Sequence, residues 1–395
     1  MVKVCTFYLF LLLAPALCRA QVPSKEEQEA LALVKEGKTD EALAAFQAIV
    51  RTSPRNEKAL GAIASLSYDK KDYATAYSAS AQALAINQAS ISAAITHARA
   101  ALALNKPSEA LSGMDALIKV NPKLAYAYWV RGKALDATGQ KQMAIGAYSN
   151  CIQTDPSFAI AYYDRGDDFN SISRFADALK DFDAYITQVP DYAPAYNDRA
   201  RAELQLGHAD AAIADFTKSI ETDPKYSLAY SNRGTVYLNN NQPAQAKPDL
   251  ERAISLDENN ADGYYGLARV YNDEKFYAQA LPMAERAIAL KPNMPVYYAV
   301  YARTLMGLDR DKEAIPVAEK ILSLDDKNSD GYLMKATAYS NISDFNSAIA
   351  TLTAGIAKLP DNYLLYSLRA SVYRFMNNES AAAADDAKAK ELAAK

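Results

Sequence analysis

The sequence predicts an all-α protein built from about eleven helix-turn-helix units of 34 residues. Three observations carry this. Ala is counted 76 times in 395 residues against 14 Gly and 16 Pro, the composition of a chain dominated by helix. Pro54, Pro122, Pro156, Pro190, Pro224, Pro292 and Pro360 lie on a lattice of 34, with Gln88, Glu258 and Asp326 at the lattice points that lack Pro. With that Pro as position 32, units start at residues 23, 57, 91, 125, 159, 193, 227, 261, 295, 329 and 363, without insertion or deletion, and position 20 is Ala in all eleven.

Residues 1–20 precede the repeats and read as a secretory signal peptide. Lys3 supplies the positive start and Val4 to Ala14 the apolar run. That run is short for a bilayer span. Cys18 and Ala20 put small residues at the −3 and −1 positions of a cleavage site. Leu17 before Cys18 disfavours lipid attachment, and cleavage leaves Cys151 as the single thiol, unable to form an internal disulfide. The expectation is export to a periplasmic or extracellular compartment, without stable membrane insertion once the leader is removed.

Residues 21–395 are expected to form one solenoid. Within a unit, the first helix carries Tyr at position 4 in eight successive units, Tyr128 to Tyr366, and Gly or Ala at position 8 in every unit. Small residues at fixed phase mark a close helix crossing, and the tyrosines read as its packing partners. Position 15 is often Gly or Asn, as in Gly37, Asn105, Gly139, Gly207, Asn241 and Asn377, residues that tolerate the left-handed turn closing a helix. The second helix has apolar residues at 21, 24 and 28, for example Leu179, Phe182 and Ile186, spaced as one buried stripe. Pro at 32 ends it. Pro248, Pro282 and Pro316, at position 22, predict a late start or a kink in three second helices. Glu26 and Glu29 in the first unit, and Asp386 and Lys390 in the last, suit terminal faces open to water.

These positions together resemble the tetratricopeptide repeat: aromatic at 4, small at 8, Ala at 20, bulky at 24, Pro at 32. The stretch AYSNRGTVYL, residues 229–238, fits closely, and the resemblance covers residues 23–395. It implies a right-handed superhelical solenoid whose first helices line a concave groove through positions 2, 5, 9 and 12. On this chain the groove candidates are Arg99, Trp129, Lys133, Tyr163, Arg201, Tyr265, Arg269 and Arg303. Aromatic and Arg side chains of this kind dominate binding hot spots. Position 7, usually aliphatic in the family, is Arg in five units. Asp stands at position 23 in only four units, and each has Arg at 7. The expected intra-unit pairs are Arg165–Asp181, Arg199–Asp215, Arg233–Asp249 and Arg369–Asp385. As partly exposed pairs they would contribute about 0–1 kcal/mol each.

No enzymatic constellation emerges. His97 and His208 are far apart, no glycine-rich phosphate loop occurs, and no spacing suits a metal, so neither metal nor cofactor is expected. Asp167 and Asp168 read as an acidic pair on a helix face. Arg165-Gly166-Asp167 lies inside a helix and not on a loop. Asn341-Ile342-Ser343 and Asn378-Glu379-Ser380 match glycosylation acceptors. A net charge of −4 argues against nucleic acid as the partner. The expectation is a non-enzymatic exported scaffold that binds an extended segment or surface of a partner protein in its groove. The alternative is an accessory protein of envelope or polysaccharide assembly, holding a polymer there.

Overall fold

The computed structural model describes residues 23–394; the leader expected at 1–20 lies outside them. The described residues form twenty-two α-helices and no strand. In each repeat helix A fills positions 1–13 and helix B positions 17–30, as in Ala125–Ala137 and Lys141–Thr154 of repeat 4; the first helix, Lys25–Lys35, starts two residues late and the last, Glu379–Ala393, ends one residue late. The chain divides into two compact bodies, one ending at Pro190 and one beginning at Asp191, which correspond to repeats 1–5 and 6–11. Within each body successive helices pack against one another.

The invariant small positions explain the packing. Every position-20 Ala and every position-8 Ala is at most 1% exposed. The space at position 8 is filled by position 24 of the same repeat, not by the position-4 ring. A Cβ added to Gly132 would overlap the Tyr148 ring, one at Gly166 would meet Phe182 at 3.0 Å, and one at Gly234 would meet Leu250 at 2.8 Å. The position-4 tyrosines do a different job. Tyr196 and Tyr332 are buried, the others half-buried. In several repeats the hydroxyl reaches back across the repeat junction to the carbonyl of position 32: Tyr298 to Pro292 at 2.9 Å, Tyr366 to Pro360 at 3.1 Å, Tyr128 to Pro122 at 3.2 Å. Tyr332 does the same to Asp326 at 3.0 Å, so the carbonyl, not the proline ring, is what the tyrosine needs.

The turn between helices A and B takes one conformation throughout. Position 15 has φ between 58° and 83° in all eleven repeats, including Lys71, Ser173, Lys275, Asp309 and Ser343, which are neither Gly nor Asn. Hydrogen bonds such as Lys106 N–H to Ala101 O and Gln140 N–H to Leu135 O close the helix in the Schellman pattern. The proline expectation needs correction. Helix B begins at position 17 in repeats 7, 8 and 9, as elsewhere, with Pro248, Pro282 and Pro316 inside it. All three prolines are exposed. The carbonyl each leaves unbonded one turn back can therefore be met by water, and the packed face of the helix is untouched.

Candidate binding surface

Position 7 of helix A is where neighbouring helices are tied. Arg165 closes both carboxylate oxygens of Asp181 at 2.7 Å, and the same bidentate geometry joins Arg199 to Asp215, Arg233 to Asp249 and Arg369 to Asp385. The Asp side chains are 6–13% exposed, well inside the range where pairing is structurally significant. The sequence expectation of a partly exposed pair therefore underrates them. Burial raises the Asp181 carboxyl even though Arg165 opposes it. The free Nη1 turns back to position 25 of the preceding repeat: Arg165 to Ser149, Arg233 to Thr217 and Arg369 to Thr353, each at 2.9 Å. In two repeats an acidic position 25 pairs directly with the basic position 7 that follows it, Arg131–Asp115 at 2.6 Å and Lys335–Glu319 at 2.9 Å. One side chain thus bridges three helices.

The groove candidates fall into local sets. In the first body, Trp129 donates its indole N–H to Asp164 Oδ2 at 2.7 Å, and Lys133 Nζ lies 3.1 Å from Asp164 Oδ1. Burial raises the Asp164 carboxyl, against the pull of Lys133 and Trp129. Tyr163 leans on Phe182 and Tyr185, with ring centroids 5.8 and 5.1 Å away. Arg99 lies 4.0 Å over the Tyr68 ring. In the second body, Tyr265 stacks on Tyr297 at 5.0 Å, and Tyr297 donates to Asp262 at 2.5 Å while Lys291 neutralises that acid at 2.7 Å. Arg269 lies over Tyr265 and gives two N–H groups to Asn239 Oδ1, both at 3.1 Å. Arg201, 59% exposed, stands 3.4 Å from Asp198, and Arg303 is exposed.

A family model described as tetratricopeptide repeat matches residues 28–93, 95–157 and 163–227, and a second matches 216–247. Together they span more than half of the chain. The chain belongs to the tetratricopeptide repeat family. Among solved structures it is similar to a tetratricopeptide repeat protein from Parabacteroides merdae, at 13% identity and TM-score 0.50, over 63% of this chain and 98% of that one. It is also similar to the APC/C hetero-tetramer Cut9-Hcn1 (14% identity, TM-score 0.47, 93% of this chain, 94% of that) and to YrrB, described as having an unusual peptide-binding site (19%, 0.38, 48% and 98%). These likenesses concern the fold alone. No curated protein matches the chain.

In this tetratricopeptide repeat protein the structure brings Trp129 together with Lys133, and Tyr265 with Arg269; Arg99, Tyr163, Arg201 and Arg303 each have separate surroundings. The residue on which the first couple converges, Asp164, is not among the sequence candidates, and Asp168 on the same helix, expected as one of an acidic pair on a helix face, is fully buried. Lys141 Nζ lies 2.6 Å from Asp168 and 2.6 Å from Asp136, and Tyr148 donates to Asp136 at 3.0 Å. The signal was present: position 10 is Ala, Leu, Val or Thr in every repeat except the fifth, where it is Asp168. An acid in a column of core residues marks a buried network. Cys151 is fully buried, and burial pushes its thiol up to about 12, which leaves it unreactive. No described helix is long and apolar enough to cross a membrane.

Proposed function

We propose that the chain is an exported, non-enzymatic scaffold that docks an extended, acidic segment of a partner protein along the helix A face of repeats 6–11. The observation that carries this reading is Arg269, held by Asn239 and the Tyr265 ring so that its remaining donors are already oriented. A guanidinium fixed in this way loses little entropy on binding a carboxylate. Position 9 in these repeats reads Arg201, Thr235, Arg269, Arg303, Thr337 and Ser371, three bases and no acid. Position 2, two turns earlier on the same face, exposes Leu228, Val296 and Leu364 by 43–44%, which offers apolar contact beside the charge. That row also carries two acids, Asp262, engaged by Lys291, and the exposed Asp330. Export rests on the leader-like residues 1–20.

The test is selection of peptides from a random displayed library on the full chain, followed by titration against variants. Peptides enriched in Asp and Glu, with affinity reduced about tenfold or more by Arg303→Glu and unchanged by Lys320→Glu on helix B, support the reading. Selection of basic or uncharged peptides, or equal loss in both variants, contradicts it.

A further inference from the structure

Stacking sets position 10 of one helix A against position 12 of the helix A before it. In repeats 8 and 9 this slot holds Asn272 and Thr304, both buried, and the threonine hydroxyl is the donor of the slot, its single proton shared between Asn272 Oδ1 at 3.0 Å and the Val300 carbonyl of its own helix at 2.9 Å. In repeats 4 and 5 the same slot holds Asp136 and Asp168. Two carboxylates supply acceptors and no donor. Lys141 repairs part of the deficit, forking between Asp136 Oδ1 and Asp168 Oδ1 at 2.6 Å each, and Tyr148 donates to Asp136 Oδ2. Asp168 Oδ2 remains buried with no hydrogen-bond partner among the described residues. The charged and titratable groups around it are Asp136 and Lys133 on helix A of repeat 4, Lys141 and Tyr148 on helix B of repeat 4, and Asp164 one turn earlier on its own helix.

A proton on Asp168 supplies the missing donor. It restores the donor–acceptor pairing seen at Thr304 and Asn272, and it leaves one carboxylate against one ammonium in place of two. We propose that Asp136, Asp168 and Lys141 form a proton-controlled tie between repeats 4 and 5, closed while Asp168 carries the proton and loosened when the proton leaves. The electrostatics agree: burial and the neighbouring Asp136 push Asp168 up to about 7. Burial works the other way on Asp136, but Asp168, Lys141 and Tyr148 together hold it below the usual carboxylate range. The tie adjoins the candidate groove, because Trp129 and Lys133 are anchored to Asp164 on the helix that carries Asp168. That loosening changes partner binding rests on the function proposed above; the titration does not, and it is tested without a partner.

Trp129 is the sole tryptophan of the chain and therefore its own reporter. Its emission in the full chain, followed from pH 5 to 9, is expected to show one inflection near pH 7, and Asp168→Asn, which keeps a neutral donor in place, is expected to abolish it. Asp136→Asn, which removes the repelling carboxylate, is expected to move the inflection at least one pH unit to the acid side. His97→Gln controls for the half-buried histidine of repeat 3 and leaves the midpoint in place. Far-UV circular dichroism establishes that each variant is folded, and if Asp168→Asn does not fold, the Asp136→Asn shift decides. No inflection in the wild type, an unchanged midpoint in a folded Asp168→Asn or Asp136→Asn variant, or its loss in His97→Gln, would overturn the proposal.

Discussion

Arg233 grips Asp249 with two hydrogen bonds, at 2.7 and 2.8 Å, and with its third nitrogen holds Thr217 of the repeat before at 2.9 Å. The Asp249 side chain is 9% exposed. Asp249→Ala leaves a largely buried guanidinium without its counter-charge, and the expected cost is about 2–4 kcal/mol in urea unfolding. The double variant Arg233→Met, Asp249→Leu is expected to lose less than the two single changes added together, with a coupling of about 1 kcal/mol or more. Additive losses would reduce the pair to a surface contact.

Position 15 offers the opposite sign. Lys275 and Lys71 hold φ of 61° and 65°, a region unfavourable to any residue with a Cβ. Lys275→Gly and Lys71→Gly are each expected to raise stability by about 0.5–1 kcal/mol, strain relief outweighing the entropy of the added glycine. Gly139→Ala, at φ 74°, is expected to lower it by about 1 kcal/mol. Thermal melts of the three variants check this; a loss in both Gly variants would show that these turns carry no strain.

Helix crossing is tested at Gly234. A methyl there would stand 2.8 Å from Leu250 Cγ, which cannot withdraw because it is fully buried. Gly234→Ala is expected to cost about 1–3 kcal/mol, and Leu250→Ala in the same chain to cost less than it does alone. Independent, additive effects would mean that positions 8 and 24 do not share one space.

Stability should also depend on pH through Asp168. Its carboxyl is raised in the folded state, so the folded chain binds more protons than the unfolded one between the ordinary Asp value and about 7. Stability is therefore fully present at the acid end of that window and declines as pH rises through it. The melting midpoint of the first body is expected to be lower at pH 8 than at pH 5.5, with the difference much reduced in Asp168→Asn. A midpoint that rises over this range contradicts the assignment.

What the sequence reveals is phase, and what it hides is contact between neighbouring repeats. Ala at position 20 and Gly or Ala at position 8 recur because two helix axes must approach closely in every unit, so spacing alone locates the helices. The Arg–Asp pairs were legible because both partners belong to one repeat and co-occur in the same four units. The reach of Arg165 to Ser149 and of Tyr298 to Pro292 was not, since it depends on how one hairpin sits on the next. Lys71, Ser173 and Lys275 concealed the left-handed turn because neighbouring helices impose it on residues that do not prefer it. Asp167 and Asp168 alone read as an acidic pair on a helix face; only the column at position 10, apolar or Thr in every other repeat, sets Asp168 apart.

The proposed function stands or falls with the helix A face of repeats 6–11 as a docking surface. Placing a photoreactive residue at position 303, and separately at position 320 on helix B, then crosslinking the full chain with a selected acidic peptide and mapping the adducts by mass spectrometry, tests it most directly. Docking on the helix A face gives adducts from position 303, competed away by unlabelled peptide, and none above background from position 320. Equal labelling at both positions, or labelling at 320 alone, would contradict it.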